Sequence, residues 1–166
     1  MSLSSKVEIV IGLCTLSGDF KKGFSKALEL CRNFINTEEL SQVYRYGRIG
    51  LGGPYQREII SMALRGTTML DPDEIAQQLL SWNASGGQAV ILLYSDLVQL
   101  RPDLPIPNPL LVEEDYYLET AREVARNWVH PILNKTLEVI WRERAPEFKG
   151  EFLYQGKSLL SEFEIT

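Results

Sequence analysis

The sequence predicts an α+β fold in which an antiparallel sheet has its helices on one face. Segments typical of strands and of amphipathic helices follow one another in the order strand, helix, strand, strand, helix, strand, or βαββαβ. The chain has 166 residues, of which 45% are apolar and 23% charged, a mixture typical of a globular domain with its own core.

The first half of this unit is a strand followed by an amphipathic helix. Residues 6–13 are rich in Val and Ile and partly alternating, which predicts a strand. Beyond a turn at 16–19, apolar residues recur at spacings of three and four, which predicts a helix with one buried stripe. The stripe consists of Phe20, Phe24, Ala27, Leu28, Cys31 and Phe34. Its cysteine is therefore interpreted as a small core residue and not as a nucleophile.

Two strands and a glycine-rich loop follow. The strands are predicted around residues 40–46 and 55–64, on either side of a segment at 47–54 that contains four glycines and a proline. This loop is a weak match to a phosphate-binding loop, because no Gly-Lys-Ser/Thr follows it and no helix begins there.

The second helix has a strong start signal. Asp71 is an N-cap residue, Pro72 fits the first turn, and Glu74 lies where a capping box needs an acid. A short linker at 83–87 leads to residues 88–94, the most apolar segment, which we predict to be a central strand of the sheet.

The C-terminal third predicts further helices and an ordered end. Helical patterns cover 113–127 and 134–144. We assign 1–144 to the main domain and 145–166 to an extension that packs on the domain or on a partner, because the extension is too apolar for a free tail. The aromatic residues expected to be buried there are Phe148, Phe152 or Phe163.

Composition narrows the function classes. A net charge of −5 argues against nucleic acid or an anionic membrane as the main partner. The longest apolar run, 89–94, is far shorter than a bilayer span, and the N-terminus lacks the apolar core of a signal peptide. Two cysteines cannot form a disulfide framework, so we expect a cytoplasmic protein. His130 is the single histidine, which excludes a multi-histidine metal site.

Several short blocks, in chain order, are similar to one enzyme family. They are Ser-Gln-Val-Tyr at 41–44, Leu-Leu-Tyr-Ser at 92–95, Ile-Pro-Asn-Pro at 106–109, Tyr-Tyr-Leu at 116–118 and Val-His-Pro-Ile-Leu-Asn-Lys-Thr at 129–136. Each is weak alone, but the ordered set resembles 6-hydroxymethyl-7,8-dihydropterin pyrophosphokinase, which transfers pyrophosphate from ATP to a pterin in the folate pathway. The resemblance implies a ferredoxin-like α+β fold.

The same resemblance indicates that the metal site is altered. The family binds magnesium with an Asp-Leu-Asp triplet before its Leu-Leu-Tyr block, and alternate residues of a strand share one face. Here the triplet is Gln88, Ala89 and Val90. A glutamine offers one neutral oxygen and a valine offers none, whereas magnesium is usually held by carboxylates. We therefore expect no metal and none of the family's magnesium and ATP as cofactors.

Other family positions also differ. The family's arginine-rich ATP loop is reduced to 83–87, without Arg or Lys, and the histidine of its Ile-Pro-His-Pro block is Asn108. The asparagine that reads the pterin edge is Ser61. Glu114 stands where the family has an arginine, and the acidic run at 113–115 is interpreted, like Asp96, as solvated.

What remains implies a ligand pocket rather than a catalytic centre. The candidate pocket residues are Tyr46, Ile49, Ser61, Asn108 and Tyr116. The last matches the family's ring-stacking phenylalanine, and a stacking role and a core role are weighed equally. Arg45 and Arg48 are candidate anion contacts, with solvated arginines as the commoner alternative. A structural role is preferred for His130.

Three functions are compatible with these observations. The first is a catalytically degraded relative that retains the fold to bind a pterin-like small molecule or a protein. The second is an active pyrophosphokinase with a rearranged site. The third is an unrelated ferredoxin-like regulatory module, which is least favoured because the blocks recur in the family's order. No oligomeric state is predicted.

Overall fold

The structure is a computed structural model that describes residues 5–16, 18–47, 58–144 and 150–164, the last four of these by backbone alone. The elements follow the chain in the order β1 (Val7–Leu16), α1 (Phe20–Cys31), β2 (Ile35–Leu40), β3 (Val43–Gly47), β4 (Glu58–Thr68), α2 (Pro72–Asn83), β5 (Gly87–Tyr94), α3 (Leu110–Glu113), α4 (Asp115–Ala125), α5 (Leu137–Arg144), β6 (Glu151–Tyr154) and α6 (Gly156–Glu164).

The strands form an antiparallel sheet in the order β5-β1-β4-β3-β6, and β2 also pairs with β4. The predicted α+β class and βαββαβ order are confirmed, but the strand predicted at 40–46 corresponds to β3, and a further strand, β2, precedes it. They are separated at Ser41, whose backbone N–H donates to the carbonyl of Ala63 and whose hydroxyl accepts from the N–H of Ala63. A side chain thus replaces a ladder partner at the break.

The strand β5 lies at the edge of the sheet, so the prediction of a central position was wrong. Among the described strands it pairs with β1 alone. Its outer edge is covered, because Asn83 Oδ1 accepts from the N–H of Ala89 at 2.7 Å and the N–H of Asn108 donates to the carbonyl of Leu92 at 3.1 Å. Covering of this kind explains how an edge strand can be as apolar as a central one.

Both faces of the sheet are buried. Along β1, Ile9, Ile11 and Leu13 face α1 and α2, whereas Val10 and Cys14 face the layer of α4 and α5. The two helices of the βαββαβ unit share one face, as predicted, and the C-terminal helices cover the other. We call the second surface the α4 face, because the candidate site lies on it.

The predicted start of α2 is confirmed in detail. Asp71 Oδ1 accepts from the N–H of Glu74 at 2.9 Å, and Glu74 Oε1 accepts from the N–H of Asp71 at 3.3 Å, a complete capping box. Across the part of the chain that the structure covers, no helix is both long and apolar enough to cross a bilayer.

The C-terminal residues complete the fold. Strand β6 pairs with β3, and α6 packs against α1 with Leu159 fully buried. Of the three aromatic residues predicted as alternatives for burial, Phe152 is 54% exposed, because it lies on the edge strand β6. Phe148 lies outside the described residues, and the side chain of Phe163 is likewise not described.

Truncating Leu159 tests how much α6 contributes to stability. We expect Leu159→Ala to lower the free energy of unfolding by about 2–5 kcal/mol, because a fully buried leucine leaves a cavity. The matched control is Leu100→Ala, since Leu100 is 80% exposed and its truncation should change stability by less than about 0.5 kcal/mol. Urea unfolding measures both, and equal midpoints for the two variants would contradict the packing of α6.

Candidate functional site

A row of polar side chains crosses the α4 face where β1 ends and β5 begins. Cys14 on β1 is paired in register with Ser61 on β4 and with Gln88 on β5. Strand alternation places Val90 on the same face as Gln88. Gln88 and Val90, which the resemblance matches to the family's metal ligands, therefore share a face, as their spacing predicts, and Gln88 is exposed at the open end of the row.

Tyr117 of α4 packs against this row of side chains. Its hydroxyl donates to Gln88 Oε1 at 3.2 Å and lies 3.3 Å from Cys14 Sγ, which is itself 3.5 Å from Gln88 Oε1. The ring lies so close to Gly12 that a Cβ there would be 2.6 Å from it. Burial, followed by the nearby Cys14 thiol, raises the pKa of Tyr117 well above its ordinary value, so the hydroxyl stays protonated at neutral pH.

The row therefore presents neutral oxygen and sulfur atoms and no carboxylate. Magnesium prefers several oxygen ligands and typically one or two carboxylates. The described residues contain no group of three or more His, Cys, Asp or Glu side chains arranged to hold a metal ion. Gln88 Oε1 already accepts from Tyr117, which leaves this oxygen less available to a cation.

Three of the five predicted pocket residues are brought together beside this row. The rings of Tyr46 and Tyr116 lie 6.1 Å apart at 57°, and Ser61 Oγ donates to the carbonyl of Tyr116 at 3.0 Å. Tyr46 is buried and Tyr116 half-buried. We call Tyr46, Ser61 and Tyr116 the aromatic corner. Its tyrosines could stack on a planar ring, whereas the hydroxyl of Ser61 is already used to position α4.

Two tyrosine–glutamate pairs, which sequence analysis missed, fasten α4 to β3. Tyr46 donates to Glu119 Oε1 at 2.5 Å, and Tyr44 donates to Glu123 Oε2 at 2.6 Å. The backbone N–H of Gly150 also donates to Glu119 Oε1. Burial is the main cause that raises the pKa of each tyrosine, and the neighbouring glutamates add to it. The sequence does carry a signal for these pairs. The two tyrosines are two residues apart on a strand and the two glutamates four apart on a helix, so each pair of side chains shares a face.

The other predicted site residues lie elsewhere or outside the described chain. Arg45 alternates with Tyr44 and Tyr46 and so lies on the opposite face, where it pairs with Glu151 at 2.7 Å and Glu58 at 3.9 Å. An anion would have to compete with these two carboxylates. Residues 48 and 49, the predicted Arg48 and Ile49, lie outside the described residues.

Asn108 lies at the start of α3. Its Oδ1 accepts from the N–H of Leu110 at 3.0 Å, and its own N–H donates to Leu92 of β5. These bonds give Asn108 a structural role at the covered edge of the sheet. In the acidic run nearby, Asp115 is not simply solvated as interpreted, because it lies 2.7 Å from the guanidinium of Arg144 with a side chain only 24% exposed.

His130 has the structural role preferred from the sequence. It is buried, and its Nδ1 accepts from the backbone N–H groups of Ile132 and Leu133 at 3.2 and 3.1 Å. A protonated ring would have no lone pair for these donors. Burial accordingly lowers the pKa of His130 below its ordinary value.

The two tyrosine–glutamate pairs predict that removing each tyrosine hydroxyl lowers the free energy of unfolding by a different amount. Tyr46→Phe should lower stability by about 1–3 kcal/mol, because it leaves the buried Glu119 carboxylate with one donor fewer. Tyr44→Phe should cost less than about 1 kcal/mol, because water can replace the lost donor at the exposed Glu123. Denaturant unfolding of both variants measures the difference, and a greater loss in Tyr44→Phe would contradict this assignment.

His130 predicts a contribution to the pH dependence of stability. Because its pKa is lower in the folded state, the unfolded state binds the proton more readily, and stability is lost as the pH falls below the ordinary value of 6.5. His130→Asn keeps an acceptor but cannot titrate. We expect the variant to lose less stability than the parent between about pH 7.5 and 5.5 in urea unfolding. The same loss in both would show that His130 is not responsible.

Comparison with known proteins gives one curated relative and a set of solved structures. The 2-amino-4-hydroxy-6-hydroxymethyldihydropteridine pyrophosphokinase of Aquifex aeolicus is 27% identical over 155 residues, which covers 86% of this chain and 91% of that protein. No family model matches the chain.

The solved structures include the HPPK-DHPS protein of Plasmodium falciparum. The wild type superposes with a TM-score of 0.72 at 10% identity over 84% of this chain, and so does its complex with pteroate. The chain spans 45% and 44% of the length of the chains in these two structures. At this identity the likeness shows the fold.

Sequence and fold thus agree with the motifs on which the resemblance was based. The curated relative is matched over most of its length, and the sheet with its helices is that of the solved structures. In sequence and in fold, the chain is therefore similar to the 6-hydroxymethyl-7,8-dihydropterin pyrophosphokinases.

Proposed function

We propose that this protein binds a planar, pterin-like small molecule at the aromatic corner and does not catalyse magnesium-dependent pyrophosphoryl transfer. The observation that supports this most directly is the neutral row on the α4 face. Gln88 and Val90 occupy the positions at which the resemblance places two magnesium-binding aspartates, and Gln88 Oε1 accepts a hydrogen bond from Tyr117.

The chemistry explains why these two positions matter. Transfer of phosphoryl groups depends almost entirely on positioning the reactants and neutralising the developing charge. Loss of even one preorganised electrostatic donor can reduce a rate by roughly 10²–10³. A site with neither the metal carboxylates nor a basic residue in the 83–87 linker would lack both sources of neutralisation.

Ligand binding makes weaker demands than catalysis. The ring of Tyr116 is half-buried and lies 4.7 Å from that of Tyr117, whose hydroxyl donates to the exposed Gln88. Ring contacts of this kind contribute about 0.5–1.5 kcal/mol beyond area burial. The half-buried ring of Tyr116 is therefore the part of the aromatic corner that is suited to stack on a flat heterocycle.

The second candidate function is an active pyrophosphokinase with a rearranged site. It is favoured by the curated relative, which has that name and is matched over 91% of its length. It would require other residues to neutralise the phosphates, and Arg48 and Arg57 are basic residues beyond the described part of the chain.

Two measurements on one folded sample separate the two functions. We expect titration calorimetry with Mg-ATP to show no saturable heat, and an assay with ATP and hydroxymethyl-dihydropterin to release no AMP above background. The double variant Gln88→Asp with Val90→Asp should also be inactive, because it restores the carboxylates but no basic loop. A cooperative melting transition is the control for folding. AMP release by the parent protein would establish the second function.

Pterin binding is tested separately. Hydroxymethyl-dihydropterin should bind the parent protein, and Tyr116→Ala should weaken the binding by about tenfold, since stacking of an aromatic side chain is lost. Leu100→Ala, an exposed position outside the aromatic corner, is the matched control and should bind like the parent. No heat with the parent protein, or equal affinity in both variants, would overturn the proposed ligand site.

A further inference from the structure

A concave site lies far from the aromatic corner. It is a cleft of about 960 Å³ between α1, β2, the β4–α2 turn and α6. Lys6 lines it just before β1 begins, whereas Cys14 lies near the other end of that strand. Eight residues of extended strand separate them by about 26 Å. Leu28 and Leu160 of the lining belong to the core on the α1 and α2 side, so the cleft also lies on the opposite face.

The charge of this cleft differs from that of the protein as a whole. Its lining includes the cations Lys6 and Arg32 and no Asp or Glu, although the chain has a net charge of −5. Both side chains are exposed. An electropositive concavity in an acidic protein attracts anions selectively, because the rest of the surface repels them.

Arg32 is also unusual in its pairing. The other arginines that the structure describes form ion pairs with acidic side chains: Arg45, Arg65, Arg101, Arg122, Arg126, Arg142 and Arg144. Within the same residues, Arg32 and Lys6 have no acidic partner. Their donors therefore remain available to a ligand, and a guanidinium matches the two oxygens of a carboxylate or phosphate.

The remaining lining indicates what the anion is attached to. Phe34, Leu70 and Leu160 supply apolar walls, and Asn36 and Thr67 supply polar groups near them. The Thr68 hydroxyl is not available, because it donates to the carbonyl of Phe34 and accepts from the N–H of Leu70. The volume is within the range of small-molecule sites, about 300–1,000 Å³.

We propose that this cleft binds a small organic anion, a carboxylate or a phosphate monoester with an apolar body, whose charged end contacts Arg32 and Lys6. The site is independent of the proposed pterin site and of any pyrophosphoryl transfer. A ligand bound here contacts α1, β2, α2 and α6 together, so it stabilises the arrangement of these elements.

Three probes with the same alkyl chain test this proposal on the full chain. Octanoate, octyl phosphate and octanol are titrated by calorimetry. We expect saturable binding of at least one of the two anions and much weaker binding of the neutral alcohol. The stronger of the two anions identifies the head group. Saturating anion should leave pterin binding unchanged, which separates this site from the aromatic corner.

Matched charge variants locate the binding. Arg32→Gln should lower the affinity for the anion by about tenfold or more, because a charge-assisted hydrogen bond is lost. Lys22→Gln removes a charge on α1 outside the cleft and should bind like the parent. Both substitutions are at exposed positions, and melting curves verify folding. No saturable binding of either anion, octanol binding as tightly as the anions, or equal weakening in both variants would overturn the proposal.

Discussion

The packing of α4 on the sheet is the interaction on which the candidate site depends. It needs a glycine at position 12, because the ring of Tyr117 occupies the space that any Cβ would take. The Tyr46–Glu119 and Tyr44–Glu123 hydrogen bonds hold the helix at its other side. Tyr116 and Tyr117 both belong to α4. The position of Tyr116 and the neutral environment of Gln88 therefore depend on how closely α4 packs on the sheet.

Local signals predicted the elements, and non-local contacts determined the rest. The capping box at Asp71 and the stripe of α1 are encoded within a few residues, and both were predicted. The break between β2 and β3 depends on Ser41 bonding to Ala63 on another strand, which no local pattern shows. The edge position of β5 was missed for a similar reason. An apolar run predicts that a strand is buried, but it does not show whether a second strand or an irregular segment covers its outer edge.

The candidate site was predictable in position and only partly in composition. Strand alternation placed Gln88 and Val90 on one face, and the family blocks placed Ser61 near Tyr116. Arg45 was named as a candidate anion contact, whereas the alternation of β3 turns it away from Tyr46 and toward Glu58 and Glu151. Glu119 was missed because a buried glutamate on a helix resembles an ordinary surface residue until its tyrosine partner is known.

The environment of Gln88 also determines how a carboxylate at that position would behave. Tyr117 has its pKa raised by burial and remains a hydrogen-bond donor, and Cys14 lies beside it. A carboxylate introduced at position 88 would gain hydrogen-bond donors, because the Tyr117 hydroxyl donates to Gln88 Oε1 and Cys14 Sγ lies 3.5 Å from the same oxygen. Such a carboxylate is stabilised without metal, which reduces the advantage of binding magnesium. The hydrogen-bond donors around Gln88 are thus set by the packing of α4, which brings the hydroxyl of Tyr117 to this end of the sheet.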